Sequence, residues 1–579
     1  MADAPPSSHD TNASGPITGS NAHRVWLWLV GTLWVAFVLW FGVDLVLHRQ
    51  FQVDEFQNAT NITFLSGMRG QNWATSAAPW QVWLTPVALA FRTDTESIMH
   101  ALRAVFGAIL VLNLLLLVWA EPHFRSPWGR MAVLWLGTLT DIFWRYGFEI
   151  RHDALILTVQ LLTYGIAQRI VRSPGTSKRL YGAAGFLLTL MALSTIKGAV
   201  YAVLYTLLLV VIANPLDPWR VWRGRLAPAL WYLLGACCAV LGVVVTLWLS
   251  GSASMYLHWL TTSSDAVTGL DTFSIIRWLH RPPPLTVGLS ALVFYFAWRD
   301  IQRTRGQAIT TSMVSACFVA FSMLAFAINP TPFPYNFLAI AGVLLLSALE
   351  SLHRLRESGL RLPTVVIVAL LLVQGADWCV LRFKTRYMSQ TNEVQLSYIR
   401  AAEAVTGAHD PVIDGVGMVL TRPVPGRDWL LHSSLRTKYV HGERETFRYY
   451  LQRHAPPVVI TNYRWDWLTE RHKQFLKDHY LAIDPHFHLL GMRRKLGENG
   501  KKVEIVRTGR YLFQANRGGG TINVDGTPTD PRKPIHLSAG KHEITGTAPS
   551  FVFAWVGPNL EAPPGIQPTS GAVFLSFTR

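Results

Sequence analysis

Four groups of residues in this chain carry side chains that could do chemistry. The first is Phe51-Gln-Val-Asp54-Glu55-Phe-Gln57-Asn58-Ala-Thr-Asn61. On a helix Asp54, Asn58 and Asn61 would share a face, being four and three residues apart. A carboxylate flanked by amides beside an apolar bundle suits a general base acting on a hydroxyl. Acidic residues that merely complement a helix dipole read equally well. Helical neighbours point about 100° apart, so only one of the pair can face the bundle. Asp54 is assigned that role, with Glu55 turned toward the membrane surface or paired with Arg69.

The second group is Arg145-Tyr-Gly-Phe-Glu149-Ile-Arg151-His152-Asp153. Arg145, Glu149 and Asp153 recur every four residues, which predicts a salt-bridged ladder on a helix. Glu149 or Asp153 could also face an acceptor from a cavity rim. The third is Lys197, alone between two apolar runs, where it could snorkel to an interface or hold a phosphate. The fourth is Asn329-Pro330-Thr-Pro332-Phe-Pro334-Tyr335-Asn336. Its prolines predict a rigid extended turn presenting Tyr335 and Asn336.

The elements that must position these groups are membrane helices. Half of the 579 residues are hydrophobic, only 15% are charged, and there are 23 tryptophans. Tryptophan is favoured at membrane interfaces. About eleven stretches of roughly 15 to 23 mostly apolar residues follow one another between Val25 and Val380. The first is Val25–Leu47, and another falls at Met131–Trp144. Residues 1–24 are small and polar and predict a disordered tail.

Charge sets the orientation. The basic loops hold Arg125 and Arg130; Arg169, Arg172, Lys178 and Arg179; Arg220, Arg223 and Arg225; Arg299, Arg303 and Arg305; and Arg354, Arg356 and Arg361. All fall on one side of this span count, which the positive-inside rule makes cytosolic. They account for much of the net charge of +17, and no basic recognition element for nucleic acid is present. The four chemical groups then share the opposite, outer side, with a loop at 48–97 and all residues after about 381. Residues 382–500 mix strand and helix patterns, predicting an outer α/β domain in which Asp414 and Arg464 lie at strand ends and are solvated. Residues 501–579 are short alternating runs broken by Gly, Pro and Asp, predicting a small β-sandwich. The four cysteines have no zinc or disulfide spacing. No catalytic metal is predicted.

The order of these groups resembles the GT-C membrane glycosyltransferases. The resembling features are an acidic pair after the first span, Arg151-x-Asp153 before a later one, Lys197-Gly198 at an outer turn, and Tyr335-Asn336 near a late span. The bacterial members related to protein O-mannosyltransferases and to the aminoarabinose transferase of lipid A are the nearest in pattern, over roughly residues 25–380. The resemblance implies an inverting enzyme of the bacterial cytoplasmic membrane. It would move a sugar from a polyprenyl-phosphate carrier to an acceptor hydroxyl on a glycan, lipid or protein at the outer face. It assigns Asp54, with its neighbour Glu55, to the acidic motif, and Arg151 and Asp153 to the Arg-x-Asp motif. Lys197 matches the lysine of a Lys-Gly-Pro motif in which Ala199 here replaces proline. Substrate contacts are expected from Asn58, Arg151, His152, Lys197 and Tyr335, and catalysis from Asp54, Glu55 and Asp153. No cofactor is expected, in keeping with the lack of a phosphate-cradling glycine loop. The alternative is a lipid-linked glycan flippase or polymerase. A transporter is disfavoured because no inverted repeat is evident.

Overall fold

The computed structural model describes residues 21–69, 73–173, 178–213, 222–263, 283–305, 308–328, 333–359, 363–384, 390–432, 435–497, 500–515, 519–558, 560, 562–563 and 573–574. Residues 1–20 of the expected tail and Asn329–Pro332 of the expected proline turn lie outside the described residues. Residues 21–24, expected to belong to the tail, are already helical.

Among the described residues the chain up to residue 384 is mainly helical. In order come α1 (Asn21–His48), α2 (Val53–Leu65), α3 (Pro79–Trp83), α4 (Thr85–Ala90), α5 (Thr95–Ala120), α6 (Pro127–Thr138), α7 (Asp141–Tyr146), α8 (His152–Arg172), α9 (Lys178–Ser194), α10 (Ile196–Ala213), α11 (Trp222–Leu249) and α12 (Ala253–Ser263). Then follow α13 (Pro284–Thr304), α14 (Thr311–Ala327), α15 (Phe337–Glu357) and α16 (Pro363–Lys384). Among the described residues, five helices are long and apolar enough to cross a membrane: Ala22–His48, Thr95–Ala120, His152–Arg172, Ala227–Leu249 and Pro334–Glu357. Shorter apolar helices occupy Ile196–Ile212, Thr311–Ala327 and Thr364–Val380.

The stretch expected to be a span at Met131–Trp144 is two helices. The hydroxyls of Thr138 and Thr140 bond back to the carbonyls of Leu134 and Leu136, both at 2.8 Å. The Trp144 indole takes the Thr138 carbonyl at 2.5 Å. Side chains thus compete with the helical ladder and break it between α6 and α7. At the centre of the bundle stands α15. Every residue from Phe337 to Leu352 is buried, as expected for a helix apolar on all sides. Its neighbours include α8, α13 and α14. Two helices can also approach until backbones touch: a Cβ on Gly235 of α11 would lie 1.9 Å from the Gly182 carbonyl of α9. Small residues permit such crossings in lipid.

Beyond α16 the chain enters α17 (Glu393–Val405) and two sheets. The larger runs β1-β2-β4-β11-β6-β9, with β3 also paired to β4. Its strands are β1 (Val412–Ile413), β2 (Val458–Ile460), β3 (Tyr480–Asp484), β4 (Phe487–Lys495), β6 (Gly509–Ala515), β9 (Ile535–Leu537) and β11 (Ser550–Trp555). The smaller runs β5-β10-β7-β8, formed by β5 (Lys501–Ile505), β7 (Ile522–Val524), β8 (Thr527–Pro528) and β10 (Gly540–Gly546). The expected boundary between residues 500 and 501 therefore does not separate two modules. The first half of β4 pairs with β2 and β3, while its second half pairs with β11, Ser550↔Lys495 through Ala554↔Gly491. One sheet spans both regions because β4 is long enough to serve both.

Candidate active site

The site forms where the first turns of three helices meet. Asp54 lies in the first turn of α2, His152 and Asp153 open α8, and Lys197 opens α10. Arg151 is the N-cap residue of α8. Its guanidinium holds Asp54 Oδ2 at 2.6 Å through Nη1 and Asp153 Oδ2 at 3.2 Å through Nε. The same guanidinium lies 3.1 Å from the centroid of the Tyr335 ring, a cation–π contact. Lys197 Nζ donates to Asn336 Oδ1 at 2.7 Å and sits 5.1 Å from the Tyr335 ring. The expected group of Asp54, Arg151, His152, Asp153, Lys197 and Tyr335 is thus brought into one cluster.

Two residues in that group have distinctive surroundings. Asp54 keeps 29% of its side chain exposed, so a ligand can reach it. Burial pushes its carboxyl pKa up, but the charges of Arg151, Arg464 and Lys197 outweigh that and hold it below the usual carboxylate range. His152 Nε2 is buried with no hydrogen-bond partner among the described residues, 4.0 Å from Asp153 Oδ1.

Glu55 does not belong to this cluster. It is wholly buried and faces the other way, held by Arg103 at 2.6 and 2.8 Å. It also accepts the Gln52 amide at 2.8 Å and the Ile150 amide at 3.3 Å. Arg103 further donates to the carbonyls of Arg49 and Gln50. Glu55 therefore closes a capping box on α2 and ties the α2 entry to α5 and to the loop before α8. The catalytic assignment of Glu55, and its expected pairing with Arg69, are corrected accordingly. Arg69 instead donates to the carbonyls of Val419 and Leu420, at 2.6 and 2.8 Å. Arg103 escaped the sequence reading, although a charge within an apolar span signals a buried partner.

The expected ladder of Arg145, Glu149 and Asp153 is also absent. The chain is not one helix there. Arg145 pairs with Asp141, Glu149 with Arg49 and Asp153 with Arg151. Asn58 does not orient Asp54 either. Its amide donates to the Ile150 carbonyl at 2.8 Å and its carbonyl accepts from Gln81 at 3.0 Å. Asn58 thereby fixes the loop that presents Arg151, and Asn61 binds Ser76 and Thr75 in the segment between α2 and α3.

The C-terminal domain packs on α2 beside the site. Asp414, expected to be a solvated strand end, is buried and accepts the amides of Val416, Gly417 and Met418. Its turn places Gly417 at φ +82°, with the Gly417 carbonyl accepting from Thr60 of α2 at 2.8 Å. A Cβ there would lie 2.3 Å from Thr60 Oγ1, so only glycine lets the two domains meet so closely. Arg464, likewise expected to be solvated, is buried and donates to the Leu431 carbonyl at 2.6 Å. It adds a third positive charge felt by Asp54. Among the described residues no group of three or more His, Cys, Asp or Glu is placed to hold a metal.

The long-helix bundle with its α/β cap has the fold of a solved membrane-protein structure. ArnT from Cupriavidus metallidurans in its apo state shares it with a TM-score of 0.54 and 14% sequence identity, covering 81% of this chain and 98% of that chain. The same protein bound to undecaprenyl phosphate gives 0.51 and 14%, covering 80% and 97%. AglB, the archaeal oligosaccharyltransferase from Archaeoglobus fulgidus, gives 0.44 and 13%, over 80% of this chain and 73% of that one. No protein-family model matches the sequence, and no curated protein matches it.

Proposed function

We propose that this chain transfers a sugar from a polyprenyl-phosphate carrier to an acceptor hydroxyl at the outer face of the bacterial cytoplasmic membrane. The observation that carries this reading is Arg151 bridging Asp54 and Asp153 beside Lys197. Arg151, Lys197 and Arg464 outnumber the two carboxylates. Such a site has room for an anion, and arginine and lysine are the usual partners of phosphate. A further support is that a protein of the same fold has been crystallised with undecaprenyl phosphate.

The proposed step is a single in-line displacement. The acceptor oxygen attacks the anomeric carbon as the bond from that carbon to the phosphate oxygen breaks. The bonding pair leaves with the polyprenyl phosphate, whose charge Arg151 and Lys197 stabilise. The acceptor proton passes to Asp54, which is ionised at neutral pH. Inversion of the anomeric centre follows. His152 stands beside Asp153, its Nε2 4.0 Å from Asp153 Oδ1.

The test is sugar transfer by Asp54→Asn in membranes supplied with polyprenyl-phosphate sugar. Asparagine keeps size and polarity but cannot take the proton, so the rate falls by roughly a hundredfold or more. Full activity would remove the proposal. A flippase would continue to move lipid in the same variant.

A further inference from the structure

The other end of α8 carries a second basic cluster, which the proposed reaction does not use. A 21-residue helix is roughly 30 Å long at 1.5 Å per residue, about the thickness of a bilayer core. Arg151 caps one end of α8, and Arg169 and Arg172 stand in the last turn at the other. Beside them α5, α6 and α9 leave a cavity of about 710 Å³. Arg125, Arg130, Arg169 and Arg172 line it, with Trp119 and Leu134 on the apolar side.

None of these four arginines pairs with a carboxylate among the described residues. Arg125 donates to the Pro122 carbonyl, and Arg169 to those of Gly165 and Trp119. Arg172 donates to the Pro122 carbonyl and meets His123 Nε2 at 3.1 Å. The carboxylates nearby are engaged elsewhere. Glu121 accepts the amides of His123 and Phe124, and Glu350 pairs with His123 and Arg354. Glu121 lines the same hollow, so four arginines face one carboxylate there, and the excess of positive charge calls for an anion. The Arg169 guanidinium also lies 3.7 Å from the centroid of the Trp119 ring, and Trp119 is 40% exposed. An indole at that depth is typical of the headgroup layer.

We propose that this cavity binds the phosphodiester headgroup of an anionic phospholipid, on the membrane face opposite the candidate active site. The arginines hold the phosphate oxygens, while Trp119 and Leu134 lie along the start of the acyl chains. A free phosphate would use only the polar half of the cavity, so the apolar wall favours the lipid. Basic pockets between membrane helices are a known form of lipid recognition.

The experiment is native mass spectrometry of the detergent-purified full chain, titrated with dioleoyl phosphatidylglycerol, with dioleoyl phosphatidylcholine, or with inorganic phosphate. Phosphatidylglycerol adducts should persist where phosphatidylcholine adducts are stripped, and millimolar phosphate should not displace them. The double variant Arg125→Gln/Arg130→Gln changes two exposed side chains at the mouth. Its affinity for phosphatidylglycerol should fall by roughly thirtyfold, about fivefold for each arginine near a headgroup. Should the double variant fail to fold, Arg130→Gln alone should still show about fivefold. Equal binding of the two lipids, displacement by phosphate, or unchanged affinity in these variants would each overturn the proposal.

Discussion

Asp54 and Glu55 are neighbours in the chain but have different employments. Asp54 meets Arg151 at the edge of the site, and Glu55 meets Arg103 in the interior. Removing the Glu55 charge strands the Arg103 guanidinium, which is fully buried. Breaking a buried pair in this way costs about 3–5 kcal/mol. Glu55→Gln should therefore lower the thermal midpoint and the yield of folded protein, with any loss of transfer following the folded fraction. A normal melting curve with a selective loss of turnover would return Glu55 to the chemistry.

The charges around Asp54 predict a pH effect with a definite sign. A base must be ionised, so activity fails on the acid side as pH drops through the pKa of Asp54. Burial raises that pKa, and Arg151, Arg464 and Lys197 more than offset it. The acid limb should thus lie below the usual aspartate value of about 3.9. Its depressed pKa also contributes stability that is present above the unfolded value and lost as pH falls through the folded one. Arg464→Gln removes one of the lowering charges and should move the acid limb to higher pH. A pH–rate profile superimposable on that of the parent would show that Arg464 does not act on Asp54. At this scale the sequence displayed residue types but not partners. Asp54, Arg151 and Lys197 could be picked out because charges flanking apolar runs are conspicuous. Arg464 could not be joined to them, because its approach depends on how a distant domain docks.

Among the elements, β4 has the widest consequences. Its nine residues, Phe487–Lys495, are shared by strands that precede residue 485 and by β11, which ends at Trp555. Truncation after residue 500 would leave the second half of β4 without β11 and remove Phe553 from beside the buried Met492. It would also remove the Val573 carbonyl, which accepts from Gln50 at 3.2 Å and Gln395 at 2.8 Å. The truncated chain should aggregate or elute as a broad peak in fluorescence-detected size exclusion. A sharp monodisperse peak would show that the membrane part folds without these strands. The alternating runs after residue 501 announced β-structure well enough, since period-two patterns are local. Which strand pairs with which depends on contacts far apart in sequence, and the domain boundary was misplaced for that reason. The split at Thr138–Asp141 was hidden similarly, because threonines bonding to their own helix leave the hydropathy unchanged.

For the whole molecule, the chemical groups and the cluster of Arg125, Arg130, Arg169 and Arg172 lie at opposite ends of α8. A reporter fused after Arg361 should be active only in the cytosol, and one fused after residue 579 only outside. The reverse pattern would place the candidate site on the wrong face for a lipid-linked donor. The helical membrane character was open to view in the composition, because bilayer thickness dictates long apolar runs. The docking of the outer domain onto α2 was not, since it rests on backbone contacts such as that between Thr60 and Gly417.

The clasp between the Val573 carbonyl and Gln50 has a consequence for biogenesis. The segment bearing Asp54 emerges from the ribosome long before β11 is made. Phe574, whose ring lies 5.9 Å from that of Phe56, is made long after it. Until then the outer loop is present but unclasped, and β4 has an open edge waiting for β11. An early segment of the polypeptide is thus secured by one made much later. A nascent chain stalled near residue 540 should be fully inserted yet remain open to protease at the loop, and should close only on release.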